Sequence, residues 1–175
     1  YELNQHLGRV QQLLREGKAR TDIGMPYLKY NQEIPFSVSP ASDDMYMQRH
    51  DSMLFPSTEL QEHGYTYDYF SHAFLDDEDV YYNAETGTLE QAGYRALVLW
   101  QCWLALDGAQ SILKLAKQGL PGVIVDGAAA MSPYDEDEAA FAAVMAELKA
   151  LPNVKTAASA GDVLESLQTL GVEPY

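Results

Sequence analysis

A single cysteine, Cys102, stands among 175 residues, so no internal disulfide framework holds this chain together. Basic side chains are also scarce. Eleven lysines and arginines face 26 aspartates and glutamates, for a formal charge of −15. Such a surface repels phosphate backbones and anionic bilayers, so neither nucleic acid nor membrane is an expected partner. No apolar run approaches the ~20 residues that cross a bilayer. There is no recognisable leader peptide, but the chain opens on Tyr1 rather than on Met and reads as a piece of a longer polypeptide. The acidic balance suits a secreted and a cytosolic protein equally and leaves the localisation open. The glycine spacing and lysine of a phosphate loop are missing, as are the repeated glycines of a dinucleotide fingerprint, so no cofactor is expected. Internal repeats and low-complexity tracts are absent. The length suits one domain with a real core.

What is present centres on residues 93–127. Gly93 to Trp100 is an apolar strand, Asp107 to Gly119 follows helical period, and Gly122-Val-Ile-Val-Asp126 is a second apolar strand. This is a βαβ unit. Strands apolar along their whole length need cover on both faces, which calls for a parallel sheet between helix layers. Ligands of such sheets sit at the carboxyl ends of the strands, so Trp100–Trp103 and Asp126–Ala130 are the positions to question.

The flanks extend the alternation. Leu3, Leu7, Val10 and Leu14 recur at helical spacing before Gly17, and residues 18–27 read as the first strand, stopped by Pro26. Residues 30–57 carry Pro35, Pro40 and Pro56 among serines and aspartates and read as a long irregular insertion loop. Ser57 or Thr58 caps a short helix that Gly64 ends. Tyr65 to Tyr69 alternates like a strand, and Val80 to Tyr82 pairs back on 88–90 across the Asn83–Gly87 turn. Ser132-Pro133 opens another helix with an acidic first turn, 135–138, and an apolar face of Ala140, Phe141, Val144, Met145 and Leu148. Val154 to Ala157 is a short strand. Asp162 caps a last helix with Val163, Leu164, Leu167 and Leu170 on its face. The expected fold is α/β, a flavodoxin-like three-layer sandwich with a mostly parallel sheet.

Several residues compete for a functional role. Cys102 follows a buried strand, where a glutamine amidotransferase of this topology holds its nucleophile on a sharp turn. Its neighbours Gln101 and Trp103 are too large for that turn, and His6, His50, His63 and His72 all precede it; a packed, inert thiol is the competing reading. Asp126 ends the second strand and is placed to take a sugar hydroxyl or a metal, or else to cap the next turn. The acidic runs 76–79 and 135–138 lack the alternating oxygens and glycine turn of a calcium loop. Asp22, inside the first strand, needs partners: Arg20, Arg95 or a backbone cap. Paired carboxylates for glycoside hydrolysis are not marked out anywhere. The segment His63-Gly64-Tyr65-Thr66-Tyr67-Asp68 groups aromatic faces with a carboxylate, the chemistry that carbohydrate surfaces require. Strand packing of Tyr65, Tyr67 and Tyr69 explains the same alternation.

These residues resemble a known family. Residues 9–23, Arg9-Val-Gln-Gln-Leu-Leu-Arg-Glu-Gly17-Lys-Ala-Arg-Thr-Asp22-Ile, are similar to a segment that follows the catalytic barrel in large multidomain glycoside hydrolases of the α-L-rhamnosidase-like group. Gly64-Tyr65-Thr66-Tyr67-Asp68-Tyr69-Phe70 resembles that group's Gly-Tyr-x-Tyr-Asp-Phe-Ile segment. Gly93 to Leu99 resembles its Tyr-Lys-x-Leu-Val-Leu-Pro, with Trp100 where proline is more usual, and residues 113–125 resemble its Leu-x-x-Leu-Val-x-x-Gly-x-x-Val-Val. The resemblance implies an amidotransferase-like accessory domain that packs on a catalytic barrel of the same polypeptide. The catalytic carboxylates then belong to the barrel, and no catalytic residue is carried over. His63, Tyr65, Tyr67, Asp68 and Asp126 are the candidates for contact with carbohydrate. Self-association of the isolated piece through its barrel-facing side is a further expectation. The rival expectations are an amidotransferase-type hydrolase using Cys102 and a stand-alone small-molecule-binding module.

Overall fold

The computed structural model describes residues 2–16, 20–27, 55–132 and 137–175. Most of the expected insertion, residues 30–57, lies outside them. Helix α1 (Glu2–Glu16) leads toward strand β1 (Ile23–Pro26). Then come α2 (Glu59–Glu62), β2 (Tyr67–Phe70), a 3₁₀ turn at His72–Asp76 and a hairpin of β3 (Tyr82–Asn83) with β4 (Thr88–Leu89). The βαβ unit follows as β5 (Ala96–Leu99), α3 (Leu106–Gln118) and β6 (Gly122–Val125). Helix α4 (Glu138–Lys149), strand β7 (Val154–Ala157) and helix α5 (Val163–Thr169) complete the order.

Five strands form one sheet in the order β2-β1-β5-β6-β7, every neighbouring pair parallel. Setting the hairpin aside, this is the doubly wound flavodoxin-like order. Alternation along the strands supplies two cores. Ile23, Met25, Ala96, Val98 and Val123 pack toward α2 and α5. Leu97, Leu99, Ile124 and Val154 pack toward α3 and α4. The fold is therefore a three-layer α/β sandwich.

The first strand is shorter than the sequence predicts, and Asp22 is the reason. It is buried, 1 % exposed, and its carboxylate accepts hydrogen bonds from the Thr66 amide (2.7 Å), the Thr66 hydroxyl (2.9 Å) and the Tyr175 amide (2.9 Å). Its carbonyl accepts from the Arg95 amide at 2.7 Å. Side-chain bonds thus replace the ladder just before Ile23, and of the three partners considered it is the backbone cap that serves Asp22. Pro26 ends the strand as expected. The amides of Ile23 and Tyr27 donate to β2, at Thr66 and Phe70, so alternation turns the Pro26 nitrogen toward β5. A proline nitrogen has nothing to donate. The β1–β5 pairing accordingly comprises only Ile23 with Ala96 and Gly24 with Leu97.

Other boundaries differ for local reasons. Helix α4 starts at Glu138, and the Asp137 side chain accepts from the Ala140 amide, so that acid caps the helix directly. Asp162 does not cap α5 with its side chain; the carboxylate accepts from the Ser159 hydroxyl across a 3₁₀ turn, Ala160–Asp162. The turn at 72–76 was not foreseen, because one turn is too short to show a period.

Gly24 is fixed by close approach. A Cβ there would lie 2.5 Å from Tyr94 Cδ2 and 2.8 Å from Phe70 Cε1, two rings stacked 5.5 Å apart beside the strand. Gly24→Ala is expected to destabilise the domain by about 1–3 kcal/mol in denaturant unfolding. Asp22→Ala, which orphans the Thr66 and Tyr175 amides, is expected to lower stability by about 2–3 kcal/mol in the same measurement.

Candidate functional site

The winding reverses between β1 and β5, the position where doubly wound sheets open a crevice at their carboxyl ends. Here Pro26 has already ended the pairing of those two strands. Aromatic rings from the chain itself gather on one face of the break. Trp100, just past β5, meets Phe55 edge-on and Tyr69 at a tilt, with centroids 6.2 Å apart in both pairs. Tyr69 also contacts Tyr67 at 5.6 Å and Tyr27 at 6.1 Å. The Tyr69 hydroxyl accepts from the Phe55 amide at 2.6 Å. Burial pushes the Tyr69 phenol up to about 12; the Phe55 amide bond opposes the shift and the neighbouring Tyr67 adds to it. The Trp100 indole nitrogen is buried with no hydrogen-bond partner among the described residues.

Beside this cluster, α2 and β2 border an open depression lined by Phe55, Pro56, Thr58, Gln61, Tyr65 and Tyr67. Tyr65 is 3 % exposed, and its hydroxyl donates to the Val172 carbonyl at 2.7 Å. Burial raises its phenol, with Glu173 and Asp22 adding charge repulsion. The half-buried Tyr67 hydroxyl lies 2.6 Å from Gln61 Nε2, which donates to it. Of the five candidate sugar contacts, then, Tyr65 and Tyr67 share one depression. Asp68 takes the opposite face of β2, where it accepts from the Thr21 hydroxyl at 3.0 Å. His63 sits at the end of α2 with Nδ1 2.9 Å from the Glu59 carbonyl. Asp126 is exposed after β6, three strand positions or roughly 14 Å from β2.

The two loops singled out at the strand ends are joined. Ala129 donates its amide to the Gln101 carbonyl, Ala130 and Met131 donate to the Cys102 carbonyl, and Leu104 donates to the Met131 carbonyl. Trp103 and Met131 form a parallel bridge. The zipper requires Ala129 at φ +47°, a left-handed conformation costly for a side chain with Cβ. Trp103 and Met131 project from it and, with α4, border a groove of about 750 Å³. Cys102 is partly buried, and its φ is not in the left-handed region. It falls between β5, which ends at Leu99, and α3, which begins at Leu106. A nucleophile elbow instead needs a strained residue directly at the strand-to-helix turn.

One polar contact escaped the sequence reading. His72 Nε2 lies 3.2 Å from Asp107 Oδ1. Its ring covers Gly108, where a Cβ would come within 2.9 Å, so the glycine lets the 3₁₀ turn approach the start of α3. His72 Nδ1 is buried without a partner among the described residues. Gly108 near the start of a helical pattern is the only signal the sequence offered. Among the described residues no three His, Cys, Asp or Glu side chains converge as a metal-binding set.

Comparison with protein-family models, with curated proteins and with solved structures finds no match.

The buried phenol makes a pH dependence. An unfolded Tyr69 ionises near its ordinary value of 10.0, whereas the folded one keeps its proton to about 12. Between those values the folded state binds more protons, so this contribution to stability is complete below the lower pH and is lost as pH rises through the upper one. Tyr69→Phe is expected to flatten the alkaline fall in unfolding free energy and to remove a step near pH 12 from the tyrosinate absorbance titration.

Proposed function

We propose that this domain is a non-catalytic accessory module of a multidomain glycoside hydrolase of the α-L-rhamnosidase-like group, packing on the catalytic barrel and bordering its carbohydrate cleft. The observation that carries the reading is the filled switch point. The crevice that doubly wound enzymes keep for ligands is occupied on one face by Trp100, Tyr69 and Phe55. The lack of elbow geometry at Cys102 argues in the same direction. The depression along α2 and β2, with Tyr67 half-exposed at its wall, is the part of the module that would border sugar.

The reading frame upstream of Tyr1 is expected to encode a catalytic barrel. The isolated 175-residue chain is expected to release no aryl group from aryl-rhamnosides or other aryl-glycosides. Glycoside turnover by the purified chain, an amidase activity abolished by Cys102→Ala, or a reading frame without a barrel would each overturn the proposal.

A further inference from the structure

Aspartate followed by glycine occurs twice in this chain, at Asp107-Gly108 and Asp126-Gly127, and the two pairs have opposite surroundings. A backbone amide nitrogen can attack the side-chain carboxyl carbon of the aspartate before it. A Cβ on the attacking residue hinders that approach, and glycine has none. Asp107-Gly108 is locked against it. The pair lies in the first turn of α3, so ring closure would swing the Asp107 backbone out of its helical well. The Asp107 Oδ1 atom is engaged by His72 Nε2 at 3.2 Å and by the Gly108 amide at 2.6 Å, and Gly108 is buried under the His72 ring.

Asp126-Gly127 is open. Both residues are exposed, and nothing lies within 4 Å of where a Cβ on Gly127 would stand. The Ala128 amide donates to the Val125 carbonyl at 2.8 Å and Gly127 has φ +79°, so the pair forms the middle of a tight turn with the glycine at its third position. The middle peptide of such a turn can rotate as a unit without breaking the closing bond, and a glycine tolerates the φ values it passes through. Among the described residues neither the Asp126 carboxylate nor the Gly127 amide has a hydrogen-bond partner to resist that rotation.

We infer that Asp126 is a site of spontaneous conversion to isoaspartate, and that the conversion loosens the zipper between the two strand-end loops. The Gly127 nitrogen bonds to Asp126 Cγ, and the amide proton and the carboxyl hydroxyl leave together as water, giving a cyclic succinimide. Water then adds back. Cleavage between the nitrogen and Cγ restores aspartate. Cleavage between the nitrogen and the main-chain carbonyl carbon leaves the backbone running through Cγ, with the former carbonyl as a free carboxylate. The net change is an isomerisation that uses only solvent water. It adds one carbon, about 1.5 Å, to the main chain. The addition falls between the Asp126 amide, held by the Ala157 carbonyl at 2.8 Å, and the Ala129 and Ala130 amides, which hold the Gln101 and Cys102 carbonyls at 2.7 and 2.9 Å. A lengthened chain cannot keep both attachments in their present register. This modification does not depend on the accessory-module reading.

Ageing the intact chain at neutral pH and body temperature, in water enriched in heavy oxygen, tests the inference. Peptide mass spectrometry with electron-transfer fragmentation separates isoaspartate from aspartate. It is expected to find isoaspartate at position 126, carrying an oxygen from the solvent, and to find it accumulating there about tenfold or more faster than at position 107. In denaturant, where both pairs are free, the two rates are expected to converge. Asp126→Glu, an exposed substitution that would need a larger ring, is expected to abolish the signal, with circular dichroism as the control for folding. In the converted fraction the amides of residues 128–131 are expected to exchange hydrogen faster than in the fresh chain. No isoaspartate at 126 in the folded chain, or equal rates at the two pairs in the folded chain, would overturn the site. Unchanged exchange at 128–131 in the converted fraction would overturn its coupling to the loops.

Discussion

The Asp22 carboxylate is the point on which the ends of this fold converge. It is buried, yet it sits at the amino end of the sheet's pivotal strand, where two distant segments arrive needing acceptors. The carboxylate takes the Thr66 amide and hydroxyl, from the entry to β2, and the Tyr175 amide, from a segment 153 residues away, while the Asp22 main-chain carbonyl takes the Arg95 amide at the entry to β5. The charged acceptor strengthens the bonds made to the carboxylate relative to neutral ones. The tail is held further by the Arg95 guanidinium, which donates to the Glu173 carbonyl at 2.7 Å and lies 3.8 Å over the Tyr175 ring. A hydrophobic residue at position 22 would suit the core but leave the Thr66 and Tyr175 amides unmet, so β2 and the tail would lose their common anchor, while the Arg95 amide would keep its main-chain acceptor.

The opposite end of the same strand is governed by the reverse condition. Pro26 removes a donor where Asp22 adds acceptors, so the sheet is tied at its amino end and parted at its carboxyl end. A parting between two buried strands has to be filled. Trp100 and Tyr69 do so with large faces, and Phe55 reaches in from the far side of the insertion. The hydroxyls of this region's tyrosines are all engaged within the domain: Tyr65 to the Val172 carbonyl, Tyr67 with Gln61 at the surface and Tyr69 to the Phe55 amide. Their hydroxyls hold α2, the tail and the returning chain in place.

Legibility in the sequence followed the range of the interactions. The β5–α3–β6 unit was readable because its signals are local: apolar runs of strand length, helical period from Asp107, and Gly119, which adopts φ +116° to end α3. Strand β7 was readable for the same reason. The start of β1 was not, because residues 18–22 are compatible with a strand and only Thr66 and Tyr175, distant in sequence, show why Asp22 leaves the ladder. The alternation of Tyr65, Tyr67 and Tyr69 was visible, but the bond from Tyr65 to Val172 spans 107 residues and left no local trace. Asp68 and Asp126 looked like companions of those tyrosines. Strand alternation sends the first to the other face, and strand order sends the second across the sheet.

The groove beside α4 shows how little a composition-level reading says about surfaces. Helix α4 has apolar residues on much of its circumference, so Phe141, Met145 and Leu148 can be buried while alanines still face outward. What turns that alanine face into a groove is the neighbouring loop, and the loop exists because β5 and β6 continue to pair past their ends through the Cys102 carbonyl and the Trp103–Met131 bridge. The strained φ of Ala129 is the local cost of that continuation. Without the zipper the loops would be free to fold Trp103 down onto the domain. With it, an indole and a thioether stand at the surface on a hydrogen-bonded backbone. The zipper, the wall and the alanine face are thus one connected feature of the backbone rather than three unrelated ones.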